Sequence, residues 1–119
     1  MSRRARADER GAAVVDFVLV LLVLHVRNTL ASAAAEGARH AAVAGSSAPA
    51  GQAKVQELVD GALSHEFVRS VTVRPAEIGG APGYEAVVEA DVGLLGLGGA
   101  SIHVRVTGHA VAEPDAVQP

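Results

Sequence analysis

The feature that most constrains this chain is the run at residues 12–24, which is apolar throughout except for one carboxylate, Asp16. Arg3, Arg4, Arg6 and Arg10 crowd the residues ahead of it, and the basic cluster stops at Gly11. An ionisable group in hydrocarbon costs several kcal/mol, so an acid held inside such a run is a candidate functional residue. The competing reading makes Asp16 a boundary residue near the cytoplasmic headgroups. The arginines suit an N-terminus retained in the cytoplasm, because basic flanks resist translocation.

Thirteen helical residues cover only ~20 Å, against a hydrocarbon core of ~30 Å. A spanning helix must therefore draw on the residues that follow, through His25, Arg27 and Asn28, with Arg27 snorkelling toward the outer interface. The same length suits a signal-peptide core, and Ala31-Ser32-Ala33 fits the small-x-small pattern of a secretory cleavage site.

Downstream, alanine-rich sequence continues without proline, and Glu36 stands three residues before Arg39 and four before His40, on one helical face. One helix is expected over residues 12–44, weakened at Gly37, behind an unstructured basic leader at 1–11. Glycines, serines and a proline make 45–51 a linker. A second helix follows over 52–67, amphipathic through Val55, Leu58, Val59, Ala62, Leu63 and Phe67. Period-two alternation then marks three strands: one ending at Pro75, one from Tyr84 to Val92, and one from Ile102 to about Ala112. Residues 76–83 read as a turn-rich loop and 93–99 as a hairpin connector, or else an apolar contact surface. The fold class expected is α+β: a long N-terminal membrane helix, a linker, and a second helix packed on a small antiparallel sheet. The domain limits are 1–11, 12–44, 45–51, 52–113 and a tail at 114–119.

Several function classes lose support from composition. There is no cysteine, hence no disulfide or thiolate metal site. Without residues 1–11 the body carries 6 basic and 11 acidic residues, about −5, which gives no footprint for nucleic acid. His103 and His109 share a strand face but lie ~20 Å apart, too far for one ion; His25, His40 and His65 have no histidine at ligand spacing. Glu85, Glu89 and Asp91 share the face of what reads as an edge strand, where alternating acids are a solvated surface. No nucleophile elbow or phosphate loop occurs. The chain is expected to be no enzyme, with no cofactor, no metal and no small-molecule substrate.

The spacing of Asp16 from Gly11 adds chemistry. If the chain is cut after Gly11, Ala12 becomes the N-terminus and Asp16 is the fifth residue. A carboxylate one turn inside a helix N-terminus complements the dipole and can neutralise an α-amino group, its own or a neighbour's. The phrase Glu9-Arg10-Gly11-Ala12-Ala13-Val14-Val15-Asp16-Phe17 resembles the start of type IV prepilin-like proteins, in which a prepilin peptidase cuts after the glycine. With Val26-Arg27-Asn28-Thr29-Leu30, Ala35-Glu36-Gly37-Ala38-Arg39 and Leu94-Leu95-Gly96-Leu97-Gly98, it looks like a TadE-like protein of the tight-adherence (Tad) pilus system, actinobacterial type. Two departures stand out: the family usually has glutamate where Asp16 stands, and its apolar segment is longer. The resemblance implies a minor pilin or pilus-assembly subunit, processed between Gly11 and Ala12 and docked through Asp16 and Phe17. Its partners are the prepilin peptidase, other pilin-like subunits and the membrane. It implies a single-pass topology with the N-terminus cytoplasmic, the C-terminal domain outside, and passage into an extracellular pilus. The alternative is an exported binding module held by an unprocessed signal anchor.

Overall fold

The computed structural model describes residues 3–43, 46–63, 67–93 and 100–114, with only the backbone of 3–5. His65, the 94–99 connector and residues 115–119 lie outside them. The α+β architecture expected is the one observed: a long N-terminal helix, a second helix and one three-stranded antiparallel sheet.

Helix α1 runs unbroken over Arg3–Ala42, 40 residues, and so includes the leader that was expected to be unstructured. Arginine, alanine and glutamate are good helix formers, and no proline interrupts residues 3–42. Gly11 costs the helix only about 1 kcal/mol relative to alanine. The helix accounts for the long axis of a molecule measuring 72 × 26 × 18 Å.

Helix α2 spans Ala48–Ala62, four residues earlier at its start than expected and five earlier at its end. The segment read as a linker holds its start signal. Ser47, extended, caps the helix by accepting a hydrogen bond from the Ala50 amide (3.4 Å). Pro49 sits in the first turn, where a missing N–H is no loss. Leu63 closes the helix by donating its N–H to the Val59 carbonyl (2.8 Å), and Phe67 falls beyond it.

The sheet is a meander of β1 (Val68–Ile78), β2 (Ala81–Gly93) and β3 (Ser101–Val111), in the order β1-β2-β3. Pro75 does not end β1, because an edge strand can leave one N–H position facing solvent. The expected loop over 76–83 shrinks to a two-residue turn, Gly79-Gly80, with φ of +61° and +84°. Positive φ at both central residues is the tight hairpin geometry that glycine permits. β2 is the central strand, so the acid-bearing strand is not an edge.

One face of the sheet carries Val73, Ala86, Val88, Ala90, Val92, Val104 and Val106, all buried. The second half of α1 covers it with a stripe at helical spacing: Val26, Leu30, Ala33, Ala34, Ala38, Ala41 and Ala42. Val55 and Val59 of α2 complete the core, while Ala62, expected there, is exposed. The unit expected over 52–113 is thus closed by residues 26–42 of the N-terminal helix.

Small residues set these distances. A Cβ on Gly37 would overlap the Val55 side chain and come within 3.1 Å of the Gly51 carbonyl oxygen. One on Gly51 would meet the Gly37 carbonyl oxygen and Ala41 Cβ, both at 2.7 Å. One on Gly108 would stand 2.5–2.8 Å from the backbone of Ala34 and Ala35. Gly37, which intrinsic propensity marks only as a weak point, is where the helices cross. Gly37→Leu is therefore expected to destabilise the fold by ~2 kcal/mol or more. Gly61→Ala, at an open position late in α2, should stabilise it by up to ~1 kcal/mol; thermal unfolding of the full chain in detergent reads both.

Candidate functional site

Two surfaces carry the polar and exposed apolar chemistry. The first is the free half of α1. Before Val23 the helix touches almost nothing: Val14, Val15, Phe17, Val18, Val20, Leu21 and Leu22 are 41–64% exposed. The exposed residues lie all round the helix, and none of the described residues covers them. By length and composition α1 is able to cross a membrane: an 18-residue window has mean hydropathy 1.9, with 11% of it buried.

Burial begins at Val26, 2% exposed. That point limits the span. The helix cannot draw on Arg27 and Asn28 without taking the sheet into the hydrocarbon with it. The segment left between Ala12 and His25 is ~21 Å long. A span that short is accommodated by snorkelling basic residues, local thinning or association with other helices.

Asp16 is exposed, one turn before Leu19, and makes no hydrogen bond or ion pair with any described residue. It borders a shallow apolar groove formed by Leu19, Val20, Val23 and Leu24 with Ile102 of β3. Its neighbour Phe17 is 64% exposed. Gly11 has open space around it, and Ala12, Arg6 and Arg10 are exposed on the same helix. The arginine side chains at 3 and 4 fall outside the described set. The helix thus aligns Gly11, Ala12, Asp16 and Phe17 within two turns.

The second surface is the outer face of the sheet. The register sets three rows across β1, β2 and β3: Arg74–Glu85–His109, Thr72–Val87–Thr107 and Ser70–Glu89–Arg105. A fourth pairs Asp91 with His103, and Arg69, at the irregularity between Val68 and Ser70, joins it. Arg74 donates to Glu85 (2.8 Å), and His109 Nε2 lies 3.3 Å from the same carboxylate. Ser70 donates to Glu89 (3.1 Å), which also faces Arg105 at 3.7 Å. Asp91 pairs with Arg69 at 3.1 Å and His103 at 2.9 Å.

Glu85 and Asp91 therefore face basic side chains on both flanking strands, whereas Glu89 faces Ser70 on β1 and Arg105 and His103 on β3. Among the described residues no cluster of His, Asp or Glu has the geometry of a metal site. His109 faces Glu85, and His103 stands between Asp91 (2.9 Å) and Glu89 (3.6 Å). Elsewhere the expected helical pair forms, Arg39 donating to Glu36 at 2.8 Å.

The hydrogen bond from Arg74, and its charge, hold the Glu85 carboxyl below its ordinary value of 4.5, outweighing the opposing effect of partial burial. A folded-state pKa below the unfolded one stabilises the fold above the unfolded value, and that contribution is lost as pH falls through the folded value. Glu85→Gln should lower the melting temperature at pH 7. The gap from wild type should close as the pH drops below about 4.5, as a pH series of thermal melts reads directly.

Neither the crossing at Gly37 and Gly51 nor the charge rows can be read from the sequence alone. Alternating bases on Arg74, His103, Arg105 and His109 opposite alternating acids was the available signal, but it needs the strand register to be seen. No family model, curated protein or solved structure matches the chain.

Proposed function

We propose that the chain is a minor pilin-like or pilus-assembly subunit of a Tad-type type IV pilus, matured by a prepilin peptidase. The observation that carries the reading is the free half of α1: an apolar helix whose Asp16 has no partner among the described residues, fused without a break to a packed α+β head.

Before processing, Arg3, Arg4, Arg6 and Arg10 hold the N-terminus on the cytoplasmic side, and the head lies outside. The peptidase cuts between Gly11 and Ala12. Gly11 is suited to that step because glycine weakens the helix locally, easing the unwinding that cleavage needs. Cleavage removes the basic anchor and leaves an α-amino group on Ala12. The remaining apolar segment is short, which lowers the cost of leaving the bilayer.

In a bundle of pilin-like helices, Asp16 neutralises an α-amino group in a medium where an unpaired charge is costly. Phe17 and the valines around it supply the apolar contact. Because the second half of α1 is core, the position of the helix in the bundle dictates where the head sits. The partners are the prepilin peptidase, the membrane and other pilin-like subunits, with the mature protein passing into the extracellular pilus.

The unbroken passage of α1 through Gly11 favours one alternative, an exported binding module on an unprocessed signal anchor. Gly11→Leu separates the two. Under the pilin reading the variant keeps its full mass in the native host, whereas wild type loses the first 11 residues. Under the anchor reading the two proteins migrate alike. Asp16→Ala should leave membrane insertion intact and cut pilus assembly at least about tenfold, since stranding one buried charge costs ~3 kcal/mol. Normal pilus output from that variant would sink the proposal.

A further inference from the structure

The two edges of the sheet differ. β1 is interrupted by the register shift between Val68 and Ser70 and by Pro75, which has no N–H to offer. β3 is paired with β2 at every position from Ser101 to Val111, without shift or proline. Its other side meets no strand among the described residues. α1 packs on the buried face of β3 at Gly108. An unbroken edge of 11 residues is a template for another strand, which natural proteins usually block with bulges, prolines or charge. On β3 only charge is present.

Across the outer face the charges alternate by strand. β1 offers Arg69 and Arg74, β2 offers Glu85, Glu89 and Asp91, and β3 offers Arg105, flanked by His103 and His109, which add positive charge only when protonated. Opposite charges on facing strands stabilise a sheet, and like charges destabilise it. A strand added to β3 therefore needs acids opposite His109, Arg105 and His103 and a neutral residue opposite Thr107.

A second copy of this chain does not meet that need. Antiparallel pairing of two β3 edges about Thr107 sets Arg105 against His109, and the β1 edge is basic as well. All the acids of the outer face sit on the central strand, which has no free edge.

We propose that the free edge of β3 takes up an extended acidic segment of another protein as a fourth strand, with acids on alternate positions. Backbone hydrogen bonds supply binding, and the basic row selects the partner. The inference is independent of the pilus reading, since it rests on the head alone.

The test uses the full chain in lipid nanodiscs and a labelled, capped peptide copying residues 84–92, whose acids follow the required spacing. The control peptide carries Gln, Gln and Asn in place of the three acids. Fluorescence anisotropy should show the acidic peptide binding about tenfold more tightly than the control. Its binding should slow amide hydrogen exchange along β3 and not along β1. Arg105→Glu should weaken binding about tenfold. Thr107→Glu, which leaves every observed ion pair in place, should weaken it too, so a folding defect in the first variant does not decide the matter. Equal affinity for the two peptides, no binding at about millimolar concentration, unprotected β3 amides, or dimerisation of the chain through β3 would each overturn the proposal.

Discussion

The close approach of α1 to the rest of the head is the contact on which the structure depends. At Gly37 the helix meets Gly51 and Val55 of α2, and at Ala34 and Ala35 its backbone rests on Gly108 of β3. Neither contact leaves room for a larger side chain. The consequence is energetic as well as geometric: alanines bury little area each, so they stabilise the fold only where backbones come close enough to exclude water between them. With 3% aromatic residues the chain has few large side chains for filling wider gaps.

That packing divides one helix between two surroundings. From Val26 onward α1 is amphipathic, with Leu30, Ala34, Ala38 and Ala41 fully buried and Asn28, Arg39 and His40 exposed. From Ala12 to Leu22 it is apolar on every side, apart from Asp16. A bilayer or a bundle of similar helices would cover such a segment completely. The continuous backbone between the halves transmits position and orientation from one to the other. A displacement of the free half along its axis moves the sheet with it.

Much of this was legible in the sequence, for identifiable reasons. Residues with strong period-two or helical spacing, such as Val104 and Val106 or Val55 and Val59, fall in the core as the pattern implies. The errors cluster where one residue type serves two purposes. Ser47 and Pro49 have the composition of breakers but start α2, because proline ends a helix in its interior and is welcome in its first turn. Pro75 likewise marks an edge strand and not its end. Gly37 looked like a defect because helix propensity says nothing about a partner backbone across the crossing. The alternating acids of β2 suggest an edge strand because strand order is not encoded locally. Their partners, Arg69, Arg74, Arg105 and the two histidines, became visible only with the register.

The central claim is that α1 changes surroundings near Val26, with its first half in an apolar medium and its second half packed on the sheet. The chain has no cysteine, so single cysteines placed along α1 report thiol accessibility without background. Labelling by a water-soluble maleimide in lipid vesicles should be blocked at every position from Val14 to Leu24, on all sides of the helix. From Val26 to Ala42 it should be blocked only along the stripe through Leu30, Ala34, Ala38 and Ala41, and open at Asn28, Arg39 and His40. A one-sided pattern extending back to Val14, or all-round protection continuing past Arg27, would contradict the account.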